Sequence, residues 1–89
     1  MAQVKQKVVV KNSLGLHILP ATEIVKLLRG VKSQVTFTYK KQTVNPKSII
    51  SLLMLAVRSN GKIDVCMEGE DAEAAMGQLA AAFERRFGE

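Results

Sequence analysis

The segment GLHILPATEIVKLLRG, residues 15–30, decides the fold, because it turns an alternating chain into a helix and holds the single histidine of the sequence at the point of change. Ala21, Ile24, Val25 and Leu28 recur at helical spacing and share one face, so a helix is expected over 18–29. Pro20 fits its first turn, where a missing N–H costs no intrahelical bond, and Gly30 stands at a natural C′ position. Upstream, VKQKVVVK (4–11) sets Val4, Val8 and Val10 against Lys5, Lys7 and Lys11, the period of a half-buried strand, and Asn12 to Gly15 is turn-forming. Downstream, VTFTY (35–39) alternates again, with Val35, Phe37 and Tyr39 on one side.

Working outward, Lys40 and Lys41 read as a tight connection into a short strand, Gln42 to Asn45. Ser48 opens an apolar segment that runs to Val57, and Asn60 with Gly61 makes a turn. KIDVCM (62–67) is a fourth strand, broken by Gly69. Asp71 is expected to cap a last helix whose buried stripe is Met76, Leu79, Ala80, Phe83 and Phe87, with Arg85 and Arg86 at its negative end. The order is β-α-β-β-α-β-α. This pattern implies an α+β fold: one four-stranded, mostly antiparallel sheet covered on one face by three helices, with water on the other face. At 89 residues, positions 1–89 are expected to form a single domain.

Composition narrows the chemistry. A domain this small has a thin core, so chemistry is expected at the surface or in a shallow groove. One His and one Cys cannot build a zinc site of the usual composition, and Cys66 reads as a small buried hydrophobe. The glycines are scattered singly, so no nucleotide-cradling loop is visible, and no cofactor is implied. The chain carries a net charge of +5, yet only four aromatics, too few for a base-stacking platform; nucleic acid is not the expected partner. No signal-peptide pattern and no membrane-length apolar run is seen, so a cytoplasmic protein is expected. Charge is uneven: residues 1–62 carry eleven Lys and Arg against one acid, Glu23, whereas residues 63–89 carry two against seven acids. A basic face of this kind speeds encounter with an acidic partner.

His17 falls at the N-cap of the first helix. The opening amides, those of Ile18 and Leu19, have no intrahelical acceptor, and the helix dipole adds positive potential. A phosphoryl group on the imidazole would sit in an anion site, and a neutral ring nitrogen near pH 7 is a suitable nucleophile for it. A histidine that only caps the helix is the alternative.

Gly15, Leu16, His17, Pro20 and Ala21 resemble the G-L-H-x-x-P-A signature of the HPr family, the histidine-containing phosphocarriers of the bacterial phosphoenolpyruvate:sugar phosphotransferase system. Asn45, Lys47, Ser48, Ile49, Leu52 and Leu55 resemble that family's regulatory-serine segment, and Gly69, Asp71 and Ala74 its final turn and helix. The resemblance covers essentially the whole chain and implies an open-faced β-sandwich of βαββαβα order. It implies that His17 accepts a phosphoryl group on Nδ1 from phosphorylated enzyme I and passes it to an enzyme IIA domain. The chain would thus be no enzyme but a carrier with a covalent phosphohistidine. Ser48 would be the target of HPr kinase/phosphorylase, and the chain would act as a monomer.

The family signature is G-L-H-A-R-P-A, whereas this chain reads GLHILPA, with Leu19 in place of the arginine that assists transfer. Losing a charge-assisted hydrogen bond costs roughly 1.5–3 kcal/mol, or about ten- to a hundredfold in rate. The alternative reading is therefore a regulatory HPr-like protein acting through Ser48, with weak or no transfer at His17. The second helix is apolar nearly all round, so some of Ile49, Ile50, Leu53 and Met54 are expected to stay exposed next to His17 as a docking patch, rimmed by Lys26, Arg29 and Lys47.

Overall fold

The computed structural model describes residues 3–89. Strand β1 spans Gln3–Val9, helix α1 Ile18–Leu28, strand β2 Gln34–Tyr39, strand β3 Gln42–Val44, helix α2 Ile49–Leu55, strand β4 Lys62–Glu68 and helix α3 Ala72–Glu84, followed by a short 3₁₀ turn, Arg86–Gly88. The strands form one sheet in the order β1-β4-β2-β3, and every neighbouring pair is antiparallel. This is the open-faced arrangement expected from the alternation.

Register explains why one face is dry. Val8 pairs with Ile63, Val4 with Met67, Val35 with Met67 and Phe37 with Val65, so the apolar members of three strands point the same way. Ile24 and Leu28 of α1, Leu52 and Leu55 of α2, and Met76, Leu79 and Phe83 of α3 close over them. Each such side chain taken fully from water contributes about 1.5–3 kcal/mol. The opposite face is polar: Lys7 lies 3.6 Å from Asp64, and the Thr38 and Thr43 hydroxyls are 2.8 Å apart across the β2–β3 hairpin. Cys66 sits on this face, between Lys5 and Thr36, half-buried and not in the core as expected.

One local expectation holds and others are corrected. The hairpin residues Lys40 and Lys41 form the tight connection at φ 48° and 68°, values usually left to Asn and Gly. Gly30 is not left-handed; α1 instead ends on a tighter turn, with the Val31 amide donating to the Leu28 carbonyl. Helix α2 stops before Val57, because Ala56 turns left-handed at φ 54°. Ala80 is only half-buried, its place on the inner stripe being taken by Ala75 and Ala82.

Asp71 does not cap α3 with its side chain. Its carboxylate reaches back to the loop after α1, accepting from the Lys32 amide at 2.8 Å, the Ser33 amide at 2.9 Å and the Ser33 hydroxyl. Gly69 permits the approach: a Cβ there would lie 2.8 Å from the Ser33 Cα. The Ser33 hydroxyl first, then the Lys32 amide, hold the Asp71 carboxyl below its ordinary value of 3.8. A depressed folded-state value stabilises the fold above the ordinary carboxylate range and loses that contribution as pH falls through it. Wild type is therefore expected to lose stability on acidification more steeply than Asp71→Asn. Urea midpoints measured from pH 6 to pH 2.5 check this, and parallel curves would contradict it.

Candidate functional site

The site is built where three chain segments meet. Gly15, at φ 72°, turns the chain from β1 into α1. A Cβ on Gly15 would collide with the Val57 carbonyl oxygen, which accepts from the Leu16 amide at 2.9 Å. That bond ties the start of α1 to the end of α2. Leu16 is buried, and His17 follows as the N-cap in extended conformation, its carbonyl accepting from the Ala21 amide at 3.0 Å.

The His17 ring makes no capping bond with its side chain. It is half-buried, 23% exposed, and its Nε2 lies 3.1 Å from Oε1 of Glu89. An ionised carboxylate only accepts, so Nε2 donates in that contact, and in the neutral tautomer that makes this bond Nδ1 is the nitrogen with the lone pair. Pro20 has no N–H, so the Ile18 and Leu19 amides are the donors left without an acceptor among the described residues. The ring borders an open depression of about 260 Å³ whose walls include Lys11, Asn12, Leu14, Arg86 and Glu89.

Asn12, expected only as a turn residue, is buried, and its Nδ2 donates to the Arg86 carbonyl at 2.9 Å and to Glu89 Oε1 at 2.5 Å. Glu89, Asn12 and Arg86 were not legible as site residues. The one local hint is an asparagine five positions before the histidine, and that spacing alone specifies nothing.

Ser48 is the N-cap of α2, exposed, its Oγ accepting from the Ser51 amide at 3.3 Å. Ile50 and Met54 are well exposed and Leu53 just over a third so, whereas Ile49 packs half-buried against the core. Leu14, Ile18 and Leu19 are also more than half exposed, so apolar surface is present on both segments that the Leu16–Val57 bond joins. Lys26 and Arg29 are exposed, with Lys26 3.4 Å from Glu23. Lys47 is not a free rim cation: its ammonium donates to the Val31 and Ser33 carbonyls, both at 2.9 Å, and fastens the start of α2 to the loop after α1. No group of residues suited to hold a metal ion is found among the described residues, and no helix there is long and apolar enough to cross a membrane.

Fold and site together define a class: an open-faced α+β sandwich presenting a partly exposed histidine at the opening of its first helix. Comparison with known proteins agrees. The family described as PTS HPr component phosphorylation site matches residues 4–85. The phosphocarrier protein HPr of Chlamydia muridarum is 44% identical over 80 residues, covering 90% of this chain and 77% of its own length. That of Xylella fastidiosa is 35% identical over 85 residues, 96% of each chain. The crystal structure of HPr-C-His from Thermoanaerobacter tengcongensis superposes with a TM-score of 0.90 at 32% identity, covering 100% of this chain and 98% of that one. The chain belongs to the HPr family.

Proposed function

We propose that this protein is a phosphocarrier of the phosphotransferase system and that His17 is the residue that carries the phosphoryl group. It accepts from phosphorylated enzyme I, which is charged by phosphoenolpyruvate, and delivers to an enzyme IIA domain. The Nδ1 lone pair attacks phosphorus; the N–P bond of the donor breaks, and its electron pair returns to the donor nitrogen. The new phosphoryl oxygens meet the Ile18 and Leu19 amides, while Glu89 continues to accept from Nε2–H. The observation that carries this reading is a partly exposed ring at a helix opening whose two free amides have no other partner among the described residues. The protein is a substrate of the enzymes on either side and not itself a catalyst. It works as a cytoplasmic monomer without a cofactor, and the exposed Ile50, Leu53 and Met54, with Ile49 at their edge and the exposed Lys26 and Arg29 of the first helix and its end, form the docking surface. Incubation with phosphoenolpyruvate and enzyme I is expected to leave one acid-labile phosphoryl group per chain. Absence of label with an active enzyme I sinks the carrier reading.

Ser48 supports a regulatory role beside this one. Its hydroxyl is exposed at the start of α2, and a phosphate there would add close to two negative charges beside the docking surface. With ATP and an HPr kinase/phosphorylase the intact mass is expected to rise by one acid-stable phosphate, and Ser48→Ala to stay unmodified. If Ser48 takes phosphate while His17 does not, the regulatory reading, with transfer lost through Leu19, replaces the carrier.

A further inference from the structure

Resting on the reading of His17 as the phosphoryl carrier, we infer that Arg86, a residue lining the depression beside His17, supplies the cation that Leu19 lacks and holds the phosphoryl oxygens during transfer. Position 19 is leucine, so the segment that bears the histidine offers no charged donor of its own. Two basic residues, Lys11 and Arg86, line the depression. Lys11 is engaged, its Nζ 2.6 Å from Glu84. Arg86 has no carboxylate within ion-pair distance among the described residues, so its five N–H donors are free for a dianion.

The backbone around Arg86 is held in an unusual shape, and what holds it is visible. Arg86 and Phe87 are consecutive non-glycine residues in the left-handed region, at φ 57° and 53°. Such conformations persist only where the surroundings over-determine them, and they cluster at functional sites. Here Asn12 Nδ2 grips the Arg86 carbonyl, and the Phe87 ring packs edge-on against Phe83 with centroids 4.8 Å apart. The double left-handed step bends the chain back after α3 so that Arg86 and Glu89 both reach the depression beside His17. Asn12 itself is 3% exposed, and its Oδ1 is a buried acceptor without a donor among the described residues.

Arg85 provides a charge-matched control. It is one residue away and lines a different depression, with Glu23 and Lys26. Transfer from phosphorylated enzyme I is measured on Arg86→Ala, Arg86→Lys, Arg86→Gly, Arg85→Ala and the double variant Leu19→Arg/Arg86→Ala. Arg86→Ala is expected to lower kcat roughly ten- to a hundredfold with little change in KM, and Arg86→Lys to recover part of it. Arg86→Gly relaxes the left-handed backbone and still loses rate, which separates charge from strain. Arg85→Ala stays near wild type, and Leu19→Arg restores the rate of Arg86→Ala. An Arg86→Ala rate within twofold of wild type, or an equal loss in Arg85→Ala, overturns the role of Arg86 alone. A wild type that takes no acid-labile label overturns the carrier reading together with it.

Discussion

His17→Ala is expected to take no phosphoryl group from phosphorylated enzyme I while remaining folded. The chain has no second histidine to inherit the label, and an alanine methyl offers no lone pair to phosphorus. Stability should hardly move. The ring makes no capping bond, and the N-cap carbonyl that accepts from Ala21 belongs to the backbone, so the substitution keeps it. What is lost is the contact with Glu89, a part-exposed hydrogen bond of about 0.5–1.5 kcal/mol. Acid-lability labelling and urea denaturation on the same preparation check both halves. An acid-labile label on His17→Ala would remove His17 from the reaction. A loss of several kcal/mol would show that the ring serves the fold.

Phe83→Ala is expected to be the most damaging of the single changes considered for stability. Phe83 lies on the inner face of α3, 2% exposed, with Phe37 of the sheet at 6.2 Å between centroids and Phe87 at 4.8 Å on its other side. Truncating a buried phenylalanine costs about 3–5 kcal/mol, from lost transfer energy and the cavity left behind. Against a total of about 5–15 kcal/mol for a domain this size, that is a large fraction, and Tm should fall by at least ~12 °C. The effect should reach the site. Phe87 loses the ring it packs on, so the left-handed step at Arg86 and Phe87 loses one of its restraints. Where the variant is still folded, transfer should be slower than in a control truncated at the far end of the core, such as Met67→Ala. A stability loss below about 1 kcal/mol would mean that Phe83 is not the link between the core and the turn.

Much of this fold is written in short-range pattern. The alternation of 4–11, 35–39 and 62–67 gave three strands to within a residue or two, because a strand facing a core on one side must alternate. The helical spacing of Ala21, Ile24 and Leu28 placed α1, and Ser48 declared the start of α2. Both histidine and serine stand at the helix openings where sequence reasoning placed them. The apolar excess of α2 was legible too, since a small sheet covers only one side of a helix and Ile50 and Met54 stay in water. Side chains whose type suggested one task and whose geometry assigned another were misread. Asp71 looked like a cap and instead binds the Lys32–Ser33 loop; Lys47 looked like a solvated cation and instead bonds two carbonyls.

The order of strands and helices, the faces they bury and the position of His17 at the opening of α1 are all present in the amino-acid sequence. All of these follow from periodicity, capping and turn preference among residues a few positions apart. What surrounds the imidazole emerges only when the chain is folded. Glu89 lies 72 positions from His17 and 77 from Asn12, and Asn12 reaches Arg86 across 74. Contacts at such separation depend on how α3 packs against the sheet and where its end is bent back, and no local pattern of side chains encodes that bend.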